Sequence, residues 1–374
     1  LVILCLIQTG GLGFITLLSV VNATFKKRMG LRQKMLLKDS IGSLSLGDVK
    51  SLVKQVLQFT LACEGTGAAL LCIRFIPMFG VRRGIYTAVF TGISAYCNAG
   101  FDLMGQVLPS SSLVTVNGDA LILITVALLI LFGGLGFIVW ADMRAAKFKP
   151  KKFSVHTRLM LITSAILVIG GTVLLLLFEN HRTFGGMNAG EKLLNAFFCS
   201  VTPRTAGFNS VPVGAMTSQS KMLTVLLMFI GGGAGSTAGG VKVTTVSVLV
   251  LCLAASIRNE EEVSVFDRKI TLETVKKAVS VVLINFFIIL FGVIVISLAQ
   301  PQFTLVDVIF ECTSAIGTVG ITAGITPQLN LISQIIIMIL MYLGRLTSLI
   351  FALSFVADKP KTTTQKPKCN VMVG

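Results

Sequence analysis

Ser314-Ala315-Ile316-Gly317-Thr318-Val319-Gly320-Ile321-Thr322-Ala323-Gly324 is a polar, glycine-rich interruption between two long apolar segments. On its own the stretch reads as a loop. Segments of that kind cross a bilayer, however, and irregular backbone is tolerated at membrane depth only where protein buries it or water lines it. A tight Thr-Val-Gly turn can aim successive carbonyls at one axis, where they replace the water shell of a dehydrated cation. Glycine permits the backbone angles that such a turn needs. A single tripeptide is weak evidence, so its weight depends on whether the chain repeats it.

Composition sets the class. The 374 residues are 54% hydrophobic and 13% charged, with a mean hydropathy of +0.87, whereas a soluble domain carries about 25% charged residues. Apolar runs at Ala120 to Trp140, Leu159 to Phe178, Val279 to Ala299 and Leu331 to Val356 each reach the roughly 20 residues a spanning helix requires. Barrel strands would alternate instead over about 10 residues. The sequence is that of an all-α polytopic membrane protein.

The net charge of +16 would suit nucleic acid, but its distribution argues against that partner. Lys26 to Lys50, Asp142 to Arg158, Arg258 to Lys277 and the segment from Ala357 onward hold seven, six, five and four Lys or Arg, most of the 32 in the chain. These segments alternate with connections that carry few, chiefly Arg74, Arg82, Arg83, Arg182, Lys192 and Lys221. The positive-inside rule makes the four rich segments and the C-terminus cytoplasmic, with the plasma membrane as the expected location. Eight scattered cysteines form no CxxC or Cys/His pair, and most behave as small hydrophobes. The chain opens inside an apolar run, without the pattern of a cleavable signal peptide.

Taken in order, Leu1 to Thr24 reads as a helix running from outside to inside and ending at Lys26-Lys27-Arg28. A helix from about Leu52 to Ile76 goes out, ending at Pro77 and an outer loop with Arg82 and Arg83. Ile85 to Tyr96, too short to span, reads as re-entrant and leads into Cys97-Asn98-Ala99-Gly100-Phe101-Asp102. Asn117 to Trp140 returns, carrying Gly133-Gly134-Leu135-Gly136-Phe137, the same GGLGF as Gly10 to Phe14. The module then recurs with a period of about 110 to 120 residues. Arg158 to Phe178, Glu191 to Ser200, the turn Val201 to Asn209 and the return Lys221 to Ser256 form one copy. Lys276 to Ala299, Leu305 to Ala315, Gly317 to Ile321 and Leu331 to Val356 form the next. The division expected is 1–50, the return helix and cytoplasmic loop of a first repeat; 51–155, the second; 156–274, the third with a broken return helix; 275–358, the fourth; and 359–374, a cytoplasmic tail.

Asn98-Ala99-Gly100-Phe101, Thr205-Ala206-Gly207-Phe208 and Thr318-Val319-Gly320-Ile321 occupy equivalent places in this scheme. Each is a polar residue, a small or branched one, glycine, then an apolar residue, and three matches make a constellation of a weak tripeptide. The predicted ion ligands are the backbone carbonyls around Asn98, Ala99, Gly100, Thr205, Ala206, Gly207, Thr318, Val319 and Gly320.

These motifs, with Thr202-Pro203-Arg204, Gly231 to Lys242 and Gly344-Arg345, resemble the Trk/Ktr/HKT superfamily of potassium transporters, and within it the bacterial Ktr membrane subunit, over essentially the whole length. The resemblance implies four helix-pore-helix repeats in a pseudo-fourfold, potassium-channel-like arrangement. It further implies K+ as the transported ion at the filter residues, with Na+ open as a coupling or activating ion. A homodimer in membrane lipid and a separate cytosolic nucleotide-binding regulatory ring docked on the basic loops are implied as well. No cofactor is expected in the chain itself. The outer helix, short segment and turn of the first repeat have no counterpart here, so the reading is of a fragment of the encoded protein or of a form that does not conduct alone.

Gly231-Gly232-Gly233-Ala234-Gly235-Ser236-Thr237-Ala238-Gly239-Gly240-Val241-Lys242 interrupts the third return helix. Each glycine in a helix costs about 1 kcal/mol relative to alanine, so the helix should break. A phosphate-binding loop needs a strand before it and Ser or Thr after the lysine, but apolar helices flank this one and Val243 follows Lys242. Close helix packing through small residues and a mobile constriction beneath the filter remain. The resemblance makes Gly231, Gly232, Gly233, Gly235, Ser236, Thr237, Gly239, Gly240 and Lys242 the intramembrane gate, with Arg345 facing the pore below the filter. A guanidinium inside a span otherwise seeks an ion-pair partner. Glu64 reads as an interhelical hydrogen-bond residue, and Arg204 and Glu311 as braces of the turns. Neither His156 nor His181 belongs to a catalytic motif, both are expected at the surface, and no HExxH or GxSxG occurs. The chain is therefore not expected to be an enzyme. Channel-like potassium uptake is the reading adopted. The alternatives are a secondary active transporter that binds a small solute and a coupling ion at broken helices, and a non-conducting scaffold.

Overall fold

The computed structural model describes residues 1–12, 49–108, 111–260, 262–266 and 268–356. The expected basic loop at 26–48, the end of the first helix, Gly13 and Phe14 of the first GGLGF and the tail at 359–374 lie outside the described residues.

The described chain is helical apart from one short hairpin. It opens with α1, Val2–Leu12, and continues with α2, Val49–Phe79, and α3, Val81–Tyr96. Next come α4, Ala120–Leu135, and α5, Phe137–Ala145; α6, Val155–Glu179, and α7, Ala189–Val201; and α8, Ser218–Phe229, and α9, Val243–Ile257. The last three are α10, Leu272–Ala299, α11, Leu305–Ile316, and α12, Leu331–Val356. Between α9 and α10 the strands β1, Ser264–Val265, and β2, Arg268–Lys269, pair antiparallel. Among the described residues, three helices are long and apolar enough to cross a membrane, Lys54–Phe79, Val155–Glu179 and Leu272–Ala299, and α4 with α5 passes the same test only when the bent pair is taken together.

Side-chain caps start most of these helices. Asp119 accepts from the amides of Leu121 (3.0 Å) and Ile122 (3.2 Å) ahead of α4. Ser154, Thr217, Thr271 and Thr304 cap α6, α8, α10 and α11, and Asn188 with Glu191 closes a capping box on α7. Such caps satisfy amide donors that the first helical turn leaves open.

The order long helix, short helix, turn, return helix occurs three times, as α2–α3–α4, α6–α7–α8 and α10–α11–α12. Within each unit the long helix packs on its short helix. Between units the rule is cyclic: α1 packs on α3, α4 on α7 and α8 on α11, and α12 reaches back to α1 through Arg345, whose Nη2 donates to the Gly10 carbonyl at 2.7 Å. The short helices thus stand around one centre, sheathed by the long ones.

Three elements depart from the sequence reading. Pro77 does not end α2, which runs on to Phe79, and α3 begins at Val81, so Arg82 and Arg83 form its first turn instead of an outer loop. The short helix has 16 residues where about 12 were expected. The return segment Asn117 to Trp140, expected as one helix, is broken at Gly136, where φ is 96° and the axes of α4 and α5 meet at 87°. That conformation is open essentially to glycine alone. The expected break at Gly231 to Lys242 is present, between α8 and α9.

Candidate functional site

Each short helix ends in a turn of the same design. Asn98 (φ 51°), Thr205 (φ 69°) and Thr318 (φ 53°) adopt the left-handed conformation, and so do the glycines two residues on, Gly100 (72°), Gly207 (90°) and Gly320 (86°). Left-handed backbone costs a non-glycine residue about 1–2 kcal/mol, so its recurrence at three polar positions requires support. A hydroxyl supplies it each time. Ser94 Oγ accepts from the Phe101 amide (2.9 Å), Thr202 Oγ1 donates to the Phe208 carbonyl (2.6 Å) and Ser314 Oγ donates to the Ile321 carbonyl (2.6 Å). Each bond ties the last turn of the short helix to the apolar residue that follows the glycine.

The turns touch one another in sequence order. A Cβ on Gly100 would lie 2.5 Å from the Ala206 carbonyl oxygen, and one on Gly207 would lie 2.5 Å from that of Val319. Only glycine allows that approach. The Asn98 amide donates to the Arg204 carbonyl (3.2 Å) and to Thr205 Oγ1 (3.3 Å), stitching the first turn to the second. Glu311, buried in α11, accepts from Thr322 Oγ1 (2.5 Å), the Ala323 amide (3.0 Å) and Thr326 Oγ1 (3.0 Å), which holds the chain leaving the third turn. Arg204 reaches α6 through Ser164 Oγ at 2.9 Å.

Carbonyls flanking the turns have donors, as the Arg204, Phe208 and Ile321 bonds illustrate. Among the described residues no donor reaches the carbonyls of Ala99, Thr205, Ala206, Thr318 or Val319, although Thr205, Ala206 and Val319 are at most 2% exposed. Buried carbonyls are nearly always paired. A run of unpaired ones on facing turns is an array of oxygen ligands suited to a hard cation.

The glycine loop lies against these turns. Ile230 and Val241 form an isolated bridge, with the Gly231 amide donating to the Val241 carbonyl (2.9 Å) and the Val243 amide to the Gly232 carbonyl (3.0 Å), so the loop has a neck. At its tip Thr237 Oγ1 donates to the Tyr96 carbonyl (3.3 Å), and Gly239 sits so close to Thr318 that a Cβ would collide with the threonine hydroxyl. Two cations hold three successive loop carbonyls. Arg345 Nη1 donates to Thr237 (3.3 Å), while Lys242 Nζ donates to Ala238 (2.7 Å) and lies 3.5 Å from the Gly239 oxygen. Ser236 Oγ donates back to Gly233 (2.7 Å), bracing the loop from within. A cavity of about 440 Å³ opens beside it, lined among others by Asn98, Ala99, Thr237, Thr318, Gly10 and Arg345.

The GGLGF of α4 and α5, which the sequence presented only as a repeat signature, is the seat of this loop. The Gly233 amide donates to the Gly134 carbonyl (2.8 Å), and the Phe137 amide, freed by the break at Gly136, donates to the Gly235 carbonyl (2.9 Å). A Cβ on Gly136 would lie 2.5 Å from the Ala234 oxygen. Repeated glycines in an apolar run were the available signal of a helix that breaks against a neighbour.

Glu64 meets the interhelical expectation: it is 6% exposed and accepts from Gln8 Nε2 of α1 at 3.1 Å, with Cys97 Sγ 3.7 Å away. Two bracing groups went unread. Glu179, fully buried, accepts from the amide (2.8 Å) and hydroxyl (2.7 Å) of Thr217 and from Thr183 Oγ1 (2.8 Å). Lys221, taken as an outer-loop charge, pairs with Asp307 at 2.7 Å and joins α8 to α11. His156 is half-buried, with Nε2 enclosed, instead of at the surface. Among the described residues no three His, Cys, Asp or Glu side chains gather as a metal site.

Comparison with known proteins agrees with this architecture. The family model of the cation transport protein TrkH matches residues 2–366. Ktr system potassium uptake protein B of Bacillus subtilis is 36% identical over 376 residues, which takes in all of this chain and 82% of the relative. The potassium/sodium uptake protein NtpJ of Enterococcus hirae is 35% identical over 378 residues, again all of this chain and 82% of the relative. The crystal structure of the potassium transporter TrkH from Vibrio parahaemolyticus superimposes with a TM-score of 0.63 at 16% identity, over 88% of this chain and 70% of that one. A family match over nearly the whole length, together with relatives above one-third identity, establishes that the chain belongs to the TrkH family of cation transport proteins.

Proposed function

We propose that this protein takes K+ into the cell through a channel-like pore whose selective part is the carbonyl array of the turns at Asn98 to Gly100, Thr205 to Gly207 and Thr318 to Gly320. The observation that carries the reading is the set of donorless carbonyls on three turns of identical handedness, with Thr205, Ala206 and Val319 buried. Replacing the hydration shell of a cation with such oxygens is how a filter compensates dehydration. The names of the Ktr relatives supply the ion, and that of NtpJ keeps Na+ in view.

The glycine loop with Lys242 and Arg345 acts as the gate in this reading. Its carbonyls are occupied by the protein's own cations, and Arg345 lines the cavity beside the turns. The repeats at 51–155, 156–274 and 275–358 are the quarters of a pseudo-fourfold pore. The basic connections lie on the cytoplasmic face of the plasma membrane, where a separate nucleotide-binding ring of a homodimeric assembly would dock. Rb+ and Na+ uptake by cells that lack other potassium uptake systems, expressing the complete gene, tests the reading. Gly320→Ser is expected to lower the K+ to Na+ uptake ratio, because serine resists a φ of 86°. An unchanged ratio at matched expression would refute the filter assignment.

A further inference from the structure

A second cavity has no part in the pore. It measures about 250 Å³ and lies between α2 and α5, walled by Val56, Phe59, Phe137 and Trp140, with Gln55, Arg144 and Phe148 completing its lining. The aromatic wall is ordered: the Phe59 and Trp140 ring centres are 4.0 Å apart, and Phe132 meets the indole edge-on at 5.4 Å. The indole N–H is already used by the Phe132 carbonyl at 3.0 Å. Among the described residues the aromatic side of the cavity presents no polar group beyond the bonded indole N–H, and Gln55 and Arg144 stand at its edge.

Its position follows from the break at Gly136. If α4 crosses the bilayer, the 87° bend lays α5 close to the membrane plane, as an interfacial helix with an apolar face and a basic end. The chain leaves α5 through two consecutive left-handed residues, Lys147 (φ 50°) and Phe148 (φ 56°). Their amides are tied to Arg144 (3.0 Å) and Met143 (2.9 Å), a helix stop that glycine ordinarily makes. The cost of that conformation brings a phenylalanine, 60% exposed, to the cavity. The connection that begins here carries six Lys or Arg between 142 and 158 against the single acid Asp142, which receives the Ser154 amide at 2.9 Å, and of the six Arg144 lines the cavity.

We propose that this cavity holds one acyl chain of an anionic phospholipid, with its phosphodiester on Arg144 and the neighbouring lysines. The cavity is apolar and open to the surface beside a basic connection, which suits an acyl chain that enters with only part of its length. Basic pockets between membrane helices on the cytoplasmic side suit anionic head groups, at about 1 kcal/mol per Lys or Arg. The side of the membrane rests on the topology proposed above, whereas the lipid assay is independent of transport, so either reading can fail without the other.

Trp140 is the only tryptophan of the 374 residues and lines the cavity, so it reports occupancy directly. The complete protein is reconstituted in mixed phosphatidylcholine and phosphatidylglycerol bilayers of fixed composition, with bromine on the acyl chains of one lipid or the other. A Trp140→Phe protein subtracts any other emission. Brominated phosphatidylglycerol is expected to quench Trp140 with about fivefold higher apparent affinity than brominated phosphatidylcholine, the factor that about 1 kcal/mol represents. Arg144→Gln is expected to bring the ratio close to one, and Arg144→Lys to retain most of it. Equal quenching by the two lipids in the unaltered protein, or a preference that survives Arg144→Gln, would overturn the proposal. The first of these comparisons needs no variant, so a poorly folding substitution leaves the result decisive.

Discussion

Lys242→Met tests whether the glycine loop is held shut by the protein's own cations. The ammonium donates to Ala238 at 2.7 Å and stands 3.5 Å from the Gly239 oxygen, so one strong bond and one marginal contact are lost. A hydrogen bond from a charged group contributes about 1.5–3 kcal/mol, and 1.4 kcal/mol is a factor of ten. The equilibrium between seated and displaced loop should therefore move by about 10- to 100-fold. Methionine keeps the length of the side chain, which limits collapse of the site. Arg345→Ala acts differently. Its bond to Thr237 is long, 3.3 Å, so the loop loosens less, but a cation within about 4 Å of the guanidinium meets a repulsion of about 4 kcal/mol at an effective dielectric of about 20, and that barrier disappears. Initial rates of Rb+ uptake against concentration separate these effects. Both variants should raise Vmax about tenfold or more, up to the limit of the open pore, and leave KM within about threefold because the turns are untouched. The double variant should gain less than the product of the two, since an open loop cannot open again. Vmax that is unchanged or lower in both variants at matched membrane expression would refute the clamp and leave the two cations a structural role.

Two further substitutions probe the supports of the site. Gly136→Ala places a Cβ 2.5 Å from the Ala234 oxygen at a φ of 96°, a strain of about 1–3 kcal/mol. It should unseat the loop and raise Rb+ flux with the K+ to Na+ ratio intact; reduced flux at normal expression would argue against it. Glu311→Ala removes the acceptor of three donors behind the third turn, so the K+ to Na+ ratio should fall, with Glu311→Gln, which keeps one oxygen, falling less. Equal ratios in all three proteins would show that the turn keeps its shape unaided.

Much of this architecture was readable from spacing. Three turns carried a polar residue two positions before glycine, and left-handed backbone at both positions is what that pair accommodates. The break at Gly231 to Lys242 was equally visible, because six glycines in ten residues overwhelm helix propensity. The break at Gly136 was not. Its glycines lie in an apolar run in which Leu128 to Phe132 and Phe137 to Trp140 sustain the hydropathy of a span, and the partner that breaks it, the loop at Gly233 to Gly235, is about a hundred residues away in sequence. Long-range polar pairs were hidden for the same reason. Lys221 and Asp307 are 86 residues apart, and Lys221 by itself reads as an ordinary loop charge. Glu311 stands out in the sequence because it flanks a glycine turn, but its three donors follow from how the chain doubles back after the turn.

The distinction between a filter and a gate can be put in terms of who satisfies the carbonyls. Both segments break helices in a medium that offers no water to the backbone, so both face the same requirement that polar groups find partners. At Thr237, Ala238 and Gly239 the partners are the side-chain cations Arg345 and Lys242. At Ala99, Thr205, Ala206, Thr318 and Val319 no described residue donates, and the turns are instead pinned from behind by Ser94, Thr202, Ser314 and Glu311. In the proposed function a rigid segment with open carbonyls would select, because its oxygens cannot collapse around a smaller ion without breaking the braces. In the same proposal a segment whose carbonyls are already held by tethered cations would obstruct, and would yield if those cations were drawn away. The seat at Gly134 to Phe137 then has a mechanical consequence: a movement of α5 along the basic connection would pull on Gly235 directly through the Phe137 amide, without passing through the turns proposed as the filter.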